Sequence, residues 1–255
     1  MKQCNFYCVL LGIVCFSYLR GADDRYQITR ALIKREEARE NALLASTGGA
    51  IEHRPFMCVS LGWNCFTAQR LSESNIRFYS FPLDWNQTPI RSLHAILQNR
   101  FEDILAPQYL KISPRGWCGI LNTRYTFSLS HDFPTGKDGE PVSNFVDFLP
   151  EISEKYQRRI ERLFDVCDLA DFVYFFRVGS RGWPNDIYQS RQEVATLRDI
   201  LLELFPKKNW LLVALCNHAD YANDWGMPMV KSYRFHNDAG AKKEWISVFK
   251  DLGLI

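Results

Sequence analysis

The sequence predicts an α/β protein with a mostly parallel central sheet flanked by helices and with a loop-rich middle segment. Three observations lead to this prediction. Short, nearly continuous apolar runs recur along the chain, and segments with helical periodicity separate them. Continuous apolar strands joined by helices are typical of parallel sheets that are covered on both faces. The apolar content of 47% is sufficient for one large core.

The first elements surround a short glycine-containing turn. Residues 23 to about 45 have the composition of a polar, charge-rich helix, which we expect to form a surface arm. The apolar run 56–60, bounded by a proline and a glycine, predicts a buried strand. A helix is predicted from residue 66 to about 75, followed by an extended aromatic segment over 76–83. Apolar residues spaced by three and four predict an amphipathic helix over 90–104.

The second half of the chain begins with loops and then alternates. Residues 107–150 are loop-rich, with short strand-like pieces at 119–121 and 125–129. A helix is predicted over 152–164, with its basic residues on the solvent face. The remaining elements alternate between strand and helix in the following order: strand 171–177, helix 192–205, strand 210–215, an edge strand within 229–235 and a closing helix over 241–252.

The N-terminus predicts export. Apolar residues run from Phe6 to Leu19 after a short cationic start, which is about the length of a signal-peptide core and shorter than the roughly 20 residues that span a bilayer. We therefore assign residues 1–22 to a signal peptide or N-terminal anchor, 23–54 to a helical arm and linker, and 55–255 to a single α/β domain. The expected location is periplasmic, envelope-associated or secreted, with membrane attachment only through this first segment.

Charge and cysteine spacing narrow the class of function. The chain has 31 basic and 29 acidic residues, a net charge of +2, and no dense basic cluster, which argues against nucleic acid as a partner. Five cysteines lie outside the presumed signal segment, so at least one thiol cannot pair within the chain. None has the spacing of a zinc ligand set, and the sequence predicts no metal or cofactor.

Cys65 is the strongest candidate for chemistry. It follows a predicted strand and the turn at Gly62, and it begins a predicted helix. A helix N-terminus favours the nucleophilic thiolate, and its free N–H groups can bind an oxyanion. The alternative is that Cys65 is a small buried apolar residue, as most cysteines are.

A nucleophilic thiol requires a base, and two histidines are suitably placed. His131 follows a strand-like piece and enters a loop, while His218 lies just beyond the end of a predicted strand. Asp84, within an aromatic segment, must be paired if buried, with Arg77 or Arg177 as partner. The sequence leaves open whether Asp84 orients the base or forms a structural ion pair.

Several motifs together resemble a known family. They are SLGWNC at 60–65, Arg77, FPLDW at 81–85, HDF at 131–133, RRIER at 158–162 and FFR at 175–177. In this order and spacing, over roughly residues 56–250, they resemble a bacterial family of uncharacterised papain-like cysteine peptidases. The resemblance implies that Cys65 is the nucleophile and His131 the base, and it leaves a papain-like α+β fold as the alternative to the α/β prediction.

The remaining site residues follow from the same resemblance. The glutamine that papain-like enzymes place before the nucleophile is missing, so Asn64 would take its place in the oxyanion hole. We favour Asp84 over Asp132 as the third catalytic residue, because Asp132 adjoins His131 and neighbouring side chains of an extended chain point in opposite directions. Asp132, Arg177 and Trp85 are predicted to contribute to substrate binding.

Two functions are consistent with these residues. The first is a cysteine peptidase or thiol hydrolase that acts on a peptide or another amide or acyl bond. The second is a non-catalytic envelope protein that binds a carbohydrate or similar ligand in the same pocket. In that case Asp84, His131 and Arg177 would hold polar groups, and Trp63, Trp85 and Trp117 would stack on sugar rings.

Overall fold

The secondary structure follows the predicted alternation of strands and helices. The computed structural model describes residues 31–45 (except 32, 36 and 43), 52–113, 119–136, 139–179, 189–206, 209–236 and 241–255. In chain order the elements are helix α1 (the described part of 31–45), β1 (Arg54–Ser60), α2 (Phe66–Glu73), α3 (Ile90–Gln98), β2 (Leu110–Ile112), β3 (Ile120–Asn122), β4 (Phe127–Leu129), α4 (Leu149–Asp165), β5 (Ala170–Val178), α5 (Arg191–Leu204), β6 (Trp210–Cys216), β7 (Val230–Arg234) and α6 (Lys242–Asp251). Within these described ranges, no helix is long and apolar enough to cross a membrane.

A four-stranded parallel sheet in the order β1-β5-β6-β7 forms the centre of the fold. β2, β3 and β4 form a separate antiparallel sheet. Ser60 at the end of β1 lies opposite Phe176 of β5, so the turn that follows β1 and the end of β5 meet at one sheet edge. The α/β prediction is confirmed. β2 was not predicted, because two of its three residues are exposed and leave no apolar pattern.

Helices cover both faces of the parallel sheet. Alternate residues of each strand point to opposite faces. Val59, Phe175 and Leu212 belong to a core that also contains buried residues of α3, α4 and α5. Cys58 and Phe176 belong to the opposite core, which α2 and α6 cover. This arrangement places the β1–α2 turn directly beside the carboxyl end of β5.

Helix α3 ends earlier than predicted, at Gln98 instead of residue 104. Arg100, Phe101 and Asp103 have φ values of 50°, 65° and 57°, which end the helix in a left-handed turn. The Phe101 N–H donates to the Ile96 carbonyl at 2.9 Å and closes this turn. Phe101 is buried although it lies beyond the end of α3, so the spacing of apolar residues that predicted the helix extends past it.

Helix α4 differs from its prediction in the environment of its basic residues. Arg159 and Arg162 are buried, and α1 packs against them. The predicted solvent face of α4 and the predicted surface arm therefore cover each other in part. A sequence pattern of charged residues does not distinguish a helix face in water from one that meets oppositely charged residues of another helix.

Candidate active site

The turn between β1 and α2 is strained and firmly held. Gly62 and Trp63 have φ values of 77° and 87°. Glycine adopts this region readily, whereas a bulky residue there costs about 1–3 kcal/mol. Arg177, which is buried, donates from Nη1 to the Leu61 carbonyl at 3.0 Å and from Nε to Gln189 Oε1 at 2.9 Å. The Trp63 ring is buried in the α2–α6 core, and these contacts fix the backbone that leads to the cysteine.

Replacing Gly62 with alanine is expected to lower the free energy of unfolding by about 2 kcal/mol. The new Cβ would lie 3.1 Å from Thr88 Oγ1 and 3.3 Å from the Leu83 carbonyl oxygen, at a positive φ. Gly253→Ala is the matched control, because Gly253 also has a positive φ, of 69°, but no atom within 4 Å of its new Cβ. Urea denaturation measures both changes. Equal losses for the two variants would show that the packing around Gly62 does not constrain the turn.

Cys65 occupies the position that caps helix α2. Its backbone is helical, with φ −70° and ψ −15°, and its carbonyl accepts from Gln69 N at 3.0 Å. The Asn64 side chain accepts from Phe66 N at 3.0 Å through Oδ1, which leaves the Nδ2 group of Asn64 as the available donor. Among the cysteines in the described part of the chain, Cys65 alone is not buried. By contrast, burial raises the pKa of the Cys58 thiol well above its usual range.

A cleft of about 330 Å³ lies between α1, α4 and the loop that contains His131. His131 and Asp132 line this cleft together with Ile33 of α1. Ile33 also packs in a small cluster with Ala68 and Trp85, against which Cys65 lies. Ile33 therefore belongs both to the cluster against which Cys65 packs and to the lining of the His131 cleft.

Asp132 is anchored to helix α4. Its side chain is 4% exposed, and its carboxylate accepts from the Tyr156 hydroxyl at 2.7 Å and from Lys155 Nζ at 2.8 Å. Arg159 Nη1 lies 3.8 Å away. Burial alone would raise the pKa of Asp132, but the charges of Lys155 and Arg159 lower it to about 2. The carboxylate is therefore ionised at neutral pH and fixes the loop of His131 against α4.

Asp84 forms the predicted ion pair with Arg77. The two residues are 1% and 3% exposed, and Asp84 Oδ2 accepts from Arg77 Nη2 at 2.7 Å and from Nε at 3.1 Å. The same oxygen accepts from Phe81 N at 2.8 Å. Asp84 Oδ1 is buried and has no hydrogen-bond partner among the described residues. Asp84 thus forms a structural ion pair through Oδ2, and its Oδ1 atom is available for a second role.

A chain of hydrogen bonds that was not predicted connects two of the motifs. Asn86 Nδ2 donates to the Pro82 carbonyl at 2.8 Å and to the Tyr156 hydroxyl at 2.9 Å. Tyr156 in turn donates to Asp132. Burial raises the pKa of Tyr156, so the hydroxyl stays protonated and joins the two motifs as a donor. Asn86 directly follows the FPLDW motif, but the sequence contains no signal for Tyr156, which lies 70 residues away.

His218, the other candidate base, and His94 have local roles. His218 Nδ1 accepts from Asp220 N at 3.3 Å and caps the 3₁₀ turn Ala219–Tyr221. His94, on α3, is 8% exposed, with Nδ1 3.5 Å from Glu193 Oε2. Burial lowers the pKa of His94. Neither histidine is among the residues that line the cleft of His131.

One family of known proteins matches the chain over a range that contains the candidate site residues. Among the described residues, no group of three or more His, Cys, Asp or Glu side chains is arranged to hold a metal ion. No curated protein and no solved structure is significantly similar to the chain. A family model matches residues 56–208, from β1 to just before β6, a range that includes Cys65, His131 and Asp84. Because this match covers more than half of the chain, the protein belongs to the family described as "putative papain-like cysteine peptidase".

Proposed function

We propose that the protein is a cysteine peptidase, or a related thiol hydrolase, with Cys65 as nucleophile and His131 as general base. One observation carries the proposal: among the described cysteines Cys65 alone is not buried, it begins a helix, and it packs against the cluster that contains Ile33, a residue of the His131 cleft. A thiol in this position is favoured as a thiolate by the helix N-terminus. The family assignment supports a peptide as substrate.

The proposed reaction has two halves. His131 accepts the thiol proton, and the Cys65 sulfur forms a bond to the carbonyl carbon of the substrate. Asn64 Nδ2 and backbone N–H groups of the first turn of α2 donate to the resulting oxyanion. The carbon–nitrogen bond then breaks, and the amine leaves with the proton from His131. Water, activated by His131, attacks the thioester, releases the acid and restores the thiol.

The surrounding residues have supporting roles in this proposal. Arg177 is a positioning residue, since it holds the carbonyl of Leu61 in the turn before Cys65. Asp132 fixes the loop of His131 to α4, and Trp85 forms part of the wall beside Cys65. Asp84 stabilises the motif that contains Trp85. The apolar N-terminal segment further leads us to propose that the enzyme acts outside the cytoplasm, on peptides in the cell envelope or beyond it.

The carbohydrate-binding alternative is less well supported. Trp63 and Trp85 are 5% and 3% exposed, so neither presents a ring face on which a sugar could stack. Trp117 lies outside the described residues. Arg177 and the Oδ2 atom of Asp84 are bound to other parts of the protein, and both residues are buried. Of the polar residues that this alternative uses, His131 lines a cleft, while Asp84 and Arg177 are buried.

Alkylation across pH 5–9, followed by intact-protein mass spectrometry, tests the proposal. We expect rapid single labelling below pH 7, because a thiolate paired with an imidazole reacts where an ordinary thiol is mostly protonated. Labelling should disappear in Cys65→Ala and slow by about tenfold in His131→Ala. His218→Ala is the control and should leave the rate unchanged. Labelling of Cys65 only at high pH, with no effect of His131→Ala, would contradict the Cys–His pair.

A further inference from the structure

Helix α1 lies outside the range that the family model matches, yet it packs on the candidate site. Ile33 is 8% exposed, contacts the cluster of Ala68 and Trp85 next to Cys65, and also lines the His131 cleft. Lys34 and Glu37 of the same helix line this cleft as well. The matched range begins at residue 56, after α1 has ended. The helix is therefore an addition to the matched region that covers part of the cleft.

The described residues of α1 form two ion pairs with α4. Glu37 Oε1 lies 3.2 Å from Arg159 Nη2, and Glu40 pairs with Arg162 Nη1. Glu40 Oε2 also accepts from Ser80 N at 3.0 Å. The arginine side chains are 6% and 7% exposed. Buried guanidinium groups require anionic or carbonyl partners, and α1 supplies carboxylates to both.

The basic residues form one stripe along α4. Lys155, Arg159 and Arg162 are spaced by four and three residues, so they lie on the same face of the helix. Lys155 borders the His131 cleft, and all three line an adjoining groove of about 290 Å³ that also contains Glu37 and Glu40. A substrate that entered this groove would have to replace the α1 carboxylates. Acidic side chains would satisfy the arginines best.

We propose that the stripe Lys155–Arg159–Arg162 is a subsite for acidic residues of a peptide, and that α1 occupies it in this chain and must move aside before a peptide binds. This inference rests on the proposed function, since it names the substrate class of that site. The sequence of α1 indicates which peptides would bind. Ile33 packs in the cluster next to Cys65, and Glu37 and Glu40 follow it by four and seven residues, so a matching peptide has an apolar residue followed at these distances by acidic residues. Peptides of this type compete with α1 for the same contacts.

Peptide binding by the full chain tests this inference without catalysis. All proteins carry Cys65→Ala, and the probe is a fluorescein-labelled peptide with the sequence of residues 31–45. Fluorescence anisotropy compares Glu37→Gln/Glu40→Gln, which loosens α1, with Glu161→Gln/Glu203→Gln, which changes the net charge equally at exposed positions. We expect the first protein to bind the peptide about tenfold more tightly than the second. Raising the salt concentration should weaken this binding, because ion pairs contribute to it.

Two results would overturn the inference: equal affinity of the two proteins for the peptide, or undiminished binding of a control peptide with glutamine in place of Glu37 and Glu40. Circular dichroism first establishes that each variant is folded. If Glu37→Gln/Glu40→Gln does not fold, Ile33→Ala loosens the apolar end of α1 instead, and the same comparison applies. Since binding is measured without a nucleophile, a failure here is distinct from a failure of the Cys65 labelling experiment.

Discussion

Replacing Asp84 with asparagine is expected to lower the free energy of unfolding by about 3–5 kcal/mol, the usual cost of leaving one member of a buried ion pair without its partner. Arg77 is 3% exposed, and Asp84 accepts two hydrogen bonds from its guanidinium group. An amide cannot neutralise that charge. Urea denaturation at neutral pH measures the loss. As a control, Glu52→Gln removes the partner of Arg54 in a far more exposed pair and should cost less than about 1 kcal/mol.

A double variant separates the charge from the packing. Arg77→Met/Asp84→Leu removes both charges and keeps most of the apolar volume, so we expect it to be more stable than Asp84→Asn alone. A loss below about 1 kcal/mol in Asp84→Asn would contradict a structural ion pair. The labelling rate of Cys65 then decides the second question. If folded Asp84→Asn reacts at the normal rate, Asp84 acts only through structure. A slower reaction in a folded variant would support its assignment as the third catalytic residue.

The strands of the central sheet were predicted closely, because their signal is local. The apolar run predicted a strand over 171–177, and the observed strand β5, Ala170–Val178, is longer by one residue at each end. Most residues of β5 and β6 are buried, so nearly every residue of these strands carries the signal. The end of α3 was predicted less well. Apolar periodicity records which residues are buried, and Phe101 is buried in a left-handed turn that has no distinct composition.

The position of the candidate nucleophile could be predicted from neighbouring residues in the sequence. Contacts in the site between residues far apart in the sequence could not. Cys65 could be placed at a strand-to-helix turn because Gly62 follows an apolar run. The positive φ of Trp63 could not be foreseen, since tryptophan rarely adopts it and only the burial of its ring compensates. The anchoring of Asp132 by Tyr156 joins residues 24 positions apart and requires α4 to lie against the loop.

The burial of the basic residues of α4 could not be predicted from the sequence either. Arg159 and Arg162 have the spacing of a solvated basic face, and their partners lie 122 residues away on α1. Charge alone does not predict that two helices meet, because each of them would also be stable in water with its charged face exposed. Ion pairs with Arg159 and Arg162 and the apolar contacts of Ile33 together hold α1 beside α4 and the cleft.

Asp132→Asn is expected to lower the free energy of unfolding by about 3 kcal/mol at neutral pH and to remove the part of the acid dependence of stability that comes from this carboxyl group. The pKa of Asp132 is lowered from 3.8 to about 2, chiefly because Lys155 and Arg159 outweigh the effect of burial. A carboxyl group whose pKa is lower in the folded state stabilises the protein above its unfolded pKa. That contribution, about 2 kcal/mol, is complete above about pH 5 and is lost as the pH falls through about 2.

Urea denaturation at intervals between pH 2 and 7 measures this dependence. The difference between native protein and Asp132→Asn should shrink as the pH falls, because protonation gives the native carboxyl group the same charge as the amide. Glu203→Gln, at an exposed position on α5, is the control and should leave the profile unchanged. Parallel profiles for the native protein and Asp132→Asn would contradict the role of this ion cluster. Since the cluster fixes the His131 loop to α4, the labelling rate of Cys65 should also fall in Asp132→Asn while the protein remains folded.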